Sequence, residues 1–186
     1  MKKIQEKIQI QQIQSMLLQG TAGTMLPLYR RVANDAAYST RFARALREQS
    51  GDRIDRIIKE TIPSVSSESI EVEQIGFFIC FGVLGNQLCN LTAVRTENKK
   101  FRANEFRLLS KAVVPLYFKL ATDRRFVYRI VNAINTQNDA KLSSAVRELV
   151  KSPYLLTVTG ESGSALQLTF RFPNGASYEN SFFLGQ

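Results

Sequence analysis

Seven arginines are the first candidates for chemistry in this 186-residue chain: Arg41, Arg44, Arg47 and Arg56, then Arg124, Arg125 and Arg129. Set on helix faces, their guanidinium groups can meet phosphates or an acidic partner. Two carboxylates come next. Glu71 and Glu73 stand two apart in Ser69-Ile70-Glu71-Val72-Glu73, so a strand would send both to one side, as an acid–base pair requires. Their alternation with Ile70 and Val72 marks them instead as the solvent side of a half-buried strand. Gly160-Glu161-Ser162-Gly163-Ser164 approaches a nucleophile elbow but has Ser where the last Gly belongs, and it reads as a polar turn between strands.

The rest of the inventory excludes most active sites. There is no His, which removes Ser-His-Asp and Cys-His pairs, an imidazole base and any His-containing zinc site. Two Cys cannot supply the four thiolates of a structural zinc or an iron–sulfur cluster. Neither a Walker loop nor a GxGxxG pattern is present. No catalytic, metal-binding or cofactor-binding residue is therefore assigned, and neither a cofactor nor enzymatic activity is expected.

Cys80 and Cys89 flank Leu84-Gly85. A two-residue loop would make them direct cross-strand partners, and a three-residue loop would put them on opposite faces. The preferred reading is a pair of reduced, buried side chains in a reducing compartment. No run of about 18 apolar residues occurs, so no membrane span is expected. Met1-Lys2-Lys3 opens like a signal peptide, but Ile4 to Ile13 keeps charge inside it and has no apolar core. Cytoplasmic synthesis without export is the expectation, and under it the glycosylation pattern Asn90-Leu91-Thr92 is incidental.

Sliding the chain along itself by 88 positions exposes an internal repeat. Leu26-Pro27-Leu28-Tyr29 lies over Val114-Pro115-Leu116-Tyr117, and Ala33 and Asp35 over Ala121 and Asp123. The match runs on without a gap: Tyr38, Phe42, Ala45, Leu46, Gln49, Ile54, Ile58 and Glu60 lie over Phe126, Ile130, Ala133, Ile134, Gln137, Leu142, Val146 and Glu148. Most shared positions are the periodic apolar ones that a retained core would keep.

The repeat sets the elements that must position the arginines. In the first copy Asn34 or Asp35 caps a helix carrying Tyr38, Phe42, Ala45 and Leu46, and Ser50-Gly51-Asp52 separates it from a second with Ile54, Ile57 and Ile58. In the second, Thr122 or Asp123 and then Asn138-Asp139 play these parts. An earlier helix is expected before each copy's Pro, over 3–18 and 98–113, with a frayed, Gln-rich arm used in assembly as the alternative for the first. Strand chemistry follows: 69–74, 77–81 and 87–96 in one copy, and 154–159, 165–172 and 176–184 in the other, with Asn174-Gly175 as a hairpin turn. Gly76 to Val83 is apolar enough for a central strand, buried on both sides or set against a partner. The fold expected is α+β: two tandem modules, 1–96 and 97–186, each a helical layer on a three-stranded antiparallel meander.

Charge follows the layers. Residues 1–62 hold 11 basic and 6 acidic side chains and 97–151 hold 12 and 5, whereas 63–96 hold 1 and 3 and 152–186 hold 1 and 2. The net charge of +9 thus resides on the helices. Basic helices of one molecule can meet the acidic sheet of another, and open meander edges would favour the same assembly by strand addition. Glu48, Asp52, Asp55 and Glu60 dilute the arginines, and no nucleic-acid-binding signature accompanies them.

Phe42-Ala43-Arg44-Ala45-Leu46, Gly51-Asp52, Ile54-Asp55-Arg56-Ile57-Ile58-Lys59 and Ile75-Gly76-Phe77-Phe78-Ile79 together resemble small helix-plus-hairpin proteins of endospore-forming bacilli, some of them associated with the spore coat. The likeness covers about residues 35–81, with a fainter echo at 123–172. It departs from that group in carrying two modules and few Cys. The resemblance implies a non-enzymatic, spore-associated structural protein. The reading that follows is a self-associating structural or interaction protein whose partners are further copies or other structural proteins. The alternative is a nucleic-acid-binding protein using its Arg-rich helix faces.

Overall fold

The structure is a computed structural model that describes residues 2–73, 75–83, 86–161 and 165–185. Two expected turns, Leu84-Gly85 and Ser162-Gly163-Ser164, lie outside the described residues. The architecture is α+β. Three helices, α1 (Lys2–Asn34), α2 (Ala36–Arg47) and α3 (Gly51–Lys59), precede three strands, β1 (Ile70–Glu73), β2 (Gly76–Val83) and β3 (Asn86–Val94). The pattern then recurs as α4 (Ala103–Thr122), α5 (Arg124–Asn135), α6 (Asp139–Arg147), β4 (Leu155–Glu161), β5 (Ala165–Arg171) and β6 (Ser177–Gly185).

The recurrence extends to local detail. α2 and α5 share both bounds at an offset of 88, and so do α3 and α6. Asp35 caps α2 by accepting from the Tyr38 amide at 2.9 Å, and Asp123 caps α5 by accepting from Phe126 at 3.0 Å. Both second helices end alike. Gln49 and Gln137 each take φ of 52°, and the amides that follow, Ser50 and Asn138, return to Ala45 and Ala133 carbonyls at 3.0 and 2.8 Å. This is a Schellman termination made with Gln where Gly is usual. The apolar positions paired in the sequence repeat are buried in both halves, from Tyr38 and Phe126 through Ile58 and Val146.

One expectation is corrected. Pro27 and Pro115 do not end helices but lie inside α1 and α4. Each proline is exposed while its neighbours, Leu28 and Tyr29 or Leu116 and Tyr117, are buried. A proline on the solvent side leaves the buried face of the helix intact, and packing there offsets the lost backbone hydrogen bond.

All strand pairs are antiparallel and form one six-stranded sheet in the order β1-β2-β3-β6-β5-β4. The two meanders are joined edge to edge through β3 and β6, with Leu91 opposite Ser181 and Thr92 opposite Asn180. Helices cover one face. Phe77, Ile79, Leu168, Phe170 and Phe182 point into them and belong to a single apolar core that spans both halves. Phe106 of α4 shows how the halves interlock: its ring packs within 6 Å of Phe42 and Phe77 in the first half and of Phe101. Gly76 is required by close approach, since a Cβ there would lie 2.3 Å from the Thr92 carbonyl oxygen. No described helix is long and apolar enough to cross a membrane.

The cysteines also differ from expectation. Cys80 and Cys89 are direct cross-strand partners joined as a disulfide on the face away from the helices, not reduced thiols. Antiparallel pairing of β2 with β3 places their Cα atoms 3.9 Å apart, within reach of a bond.

Candidate interaction face

The first-half arginines converge where α2 meets α3. Both helices bury one stripe, Phe42, Ala45 and Leu46 on α2 and Ile54, Ile57 and Ile58 on α3, and so turn their charged sides outward together. Arg41, Arg44, Arg53 and Arg56 line a cleft of about 360 Å³ with Ala45, Ile57 and a single carboxylate, Glu60. Arg53 joins the set through the structure; the sequence reading did not single it out, although it lies three residues before Arg56 on the same face of α3.

The four guanidinium groups are not equally engaged. Arg41 donates twice to Glu60, at 2.9 and 2.8 Å, and the fork holds the Glu60 carboxyl below its ordinary range. Arg53 pairs with Glu48. Among the described residues, Arg56 donates to the Asp52 backbone carbonyl alone, at 3.2 Å. Arg44 is exposed and has no side-chain partner among the described residues. The cleft thus keeps two cations without a carboxylate.

A second basic hollow adjoins the end of α2. Arg47, Asn98, Lys99, Lys100 and Arg102 surround it. Arg47 spans to the Phe101 carbonyl at 3.0 Å and Lys99 to that of Asn174 at 3.1 Å, which ties the segment after β3 to α2 on one side and to the turn between β5 and β6 on the other.

Arg124, Arg125 and Arg129 are placed elsewhere. They are exposed on α5, which packs against α1, α4 and α6, whereas α2 packs against α1, α3 and α4. Arg129 lies over its own helix's Phe126 ring, 5.3 Å from the centroid. At the positions that build the cleft, the second half carries Arg129, Asn132, Lys141 and Ser144 where the first has Arg41, Arg44, Arg53 and Arg56; Asn135 matches Arg47. The same scaffold is therefore made without the arginine cluster.

Other surfaces bear on association. Glu71 and Glu73 are exposed on β1, as the alternation required. The sheet edges are blunted: β1 has four residues, and β4 is bulged between Leu155 and Thr157. Arg147 donates to the Leu155 and Leu156 carbonyls at 3.3 and 2.8 Å, and Asp139 accepts from the Gly160 amide at 3.0 Å. These contacts occupy part of the outer backbone of β4, where strand addition, expected from sequence, would have to form. At the other end, α1 starts 13 residues before the position matching the start of α4, and its Ile8, Ile10 and Met16 are 47%, 51% and 57% exposed.

Beneath these surfaces lies a buried polar ring. The Tyr29 hydroxyl donates to Asn90 Oδ1 at 2.6 Å, and Asn90 Nδ2 donates to the Tyr117 hydroxyl at 2.6 Å. Tyr117 in turn donates to Asn180 Oδ1 at 2.9 Å, and Asn180 Nδ2 closes the ring on Tyr29 at 2.8 Å. Every member is fully buried, so Asn90 is no accessible glycosylation site in the fold. Burial pushes the Tyr29 hydroxyl up to about 12 and the Tyr117 hydroxyl well above its ordinary value. No group of acidic or sulfur side chains suited to a metal ion occurs among the described residues.

Comparison with known proteins gives no match, whether to a family model, a curated protein or a solved structure. The resemblance to spore-associated proteins rests on the quoted residues alone.

Proposed function

We propose that the protein is a non-enzymatic interaction module that holds an acidic partner against the arginine face of its first half. The observation that carries this reading is the asymmetry of the two halves. If both descend from one copied unit, the arginine cluster serves something other than folding, because the second half keeps the helix bounds, the Asp cap of its second helix and the core without it. An exposed cation with no partner adds little to stability and much to recognition of an opposite charge.

Self-association is a second part of the reading, supported by the apolar side chains that the start of α1 leaves exposed. An isolated helical arm of this length is marginal in water, and pairing Ile8, Ile10 and Met16 with a second copy would stabilise it. The resemblance to spore-associated proteins supports a place in a spore layer.

Two measurements test this. Wild-type protein should bind a heparin column, and Arg44→Asn with Arg56→Ser should elute at distinctly lower salt with an unchanged melting temperature. Equal elution of the two would remove the cleft from the account. Light scattering across salt and protein concentration should show dimers or larger species that dissociate when residues 2–10 are deleted; a strict monomer at high concentration would contradict the self-association.

A further inference from the structure

We infer that the acidic partner of the first-half face is the phosphodiester backbone of a double-stranded nucleic acid, an inference that rests on the reading of that face given above. The chemistry of the cations comes first. Every cation in the cleft is arginine, whose planar fork matches a phosphate bidentately, where lysine would offer a point charge. Arg44 and Arg56 can bind without first breaking an ion pair, since neither has a carboxylate partner among the described residues.

The layout is a row, not a single nest. Arg41, Arg44 and Arg47 follow one another at three-residue spacing along α2, and Arg47 continues the row to Lys99, Lys100 and Arg102. Such a row suits a ligand with closely repeated charges. Duplex DNA carries one charge per roughly 1.7 Å of axis, about twice the density of an extended acidic peptide at roughly 3.3 Å per residue. The lining also discriminates between forms of nucleic acid. Neither hollow has an aromatic side chain among its lining residues, so unstacked bases find no platform and contacts fall on the backbone. Binding is therefore sequence-independent and salt-sensitive.

The test is fluorescence anisotropy with a duplex of about 20 base pairs of arbitrary sequence, one of its single strands, and poly-glutamate, each over a range of salt. The duplex should bind tightest, with log K falling against log salt at a slope of about −4 to −6, as expected for roughly four to seven phosphates. Arg44→Glu with Arg56→Glu should weaken duplex binding at least ~10-fold and flatten the slope by about 2. Arg124→Glu with Arg125→Glu should leave it within about twofold. Should charge reversal disturb folding, Arg44→Asn with Arg56→Ser serves instead, since the matching positions already hold Asn132 and Ser144. Poly-glutamate or the single strand binding as tightly as the duplex would overturn this inference and leave the face as a contact surface. Loss of cleft-dependent binding to all three polymers would overturn both.

Discussion

At the scale of single residues, the ring of Tyr29, Asn90, Tyr117 and Asn180 is what ties the halves to one another. Each tyrosine serves the asparagine of its own half and that of the other, so neither half satisfies its buried amide alone. Tyr29→Phe strands Asn90 Oδ1, and Tyr117→Phe strands Asn180 Oδ1; each should cost about 1–3 kcal/mol in urea unfolding. The double variant should cost less than the two together, because the ring acts as a unit. A loss below about 0.5 kcal/mol in either single variant would show that the ring adds nothing beyond packing. Alkali provides a second check. Tyr29, Tyr38 and Tyr117 have folded-state values raised by burial, the first two to about 12. Their protonated forms are favoured by folding, so this stability is complete below the ordinary tyrosine value near 10 and is lost as pH climbs from there through about 12. With the partly exposed Tyr128 and Tyr154 replaced by Phe, tyrosinate absorbance should therefore rise in step with unfolding; its appearance from an intact fold would contradict the burial. The tyrosines were legible in the sequence as part of the repeated Pro-Leu-Tyr. The asparagines were not: Asn90 showed only as a glycosylation pattern and Asn180 as nothing, since a polar residue on a strand reads as solvent-facing until the opposing helix is known.

At the scale of elements, alternation and capping chemistry gave α2, α3, α5, α6 and all six strands close to their observed bounds. Asn34 to Asp35, Thr122 to Asp123 and Asn174-Gly175 are local signals, and the contacts they describe are local too. In sequence α1 and α4 read as ending before Pro27 and Pro115, because proline is a boundary signal, while its tolerance here comes from tertiary packing of the opposite face. It follows that Pro27 is a cost the helix carries. Pro27→Ala restores a donor to the Gly23 carbonyl and removes the ring clash, and should raise unfolding stability by about 1–3 kcal/mol, read from urea midpoints. A loss of stability would mean that the proline ring itself is needed to seat Tyr29. The join of β3 to β6 was invisible for a different reason: nothing local distinguishes the strand edge that will meet the other meander from one that will face solvent.

At the scale of the molecule, the sheet order is symmetric about the β3–β6 pair, and the core runs unbroken across it. Charge does not share that symmetry. The sequence assigned positive charge to both helical layers; folding gathers Arg41, Arg44, Arg53 and Arg56 around one cleft and leaves Arg124, Arg125 and Arg129 on another helix. Distances between α2 and α3 decide this, and no spacing within either helix encodes them. The account stands on one such difference, an acidic polymer seated on the first half alone. Amide chemical-shift mapping of the labelled protein titrated with duplex nucleic acid tests it most directly. The account predicts shifts confined to α2, α3 and residues 96–102, with α5 and α6 unmoved. Shifts of equal size on α5 and α6, or centred on the open face of the sheet, would contradict it.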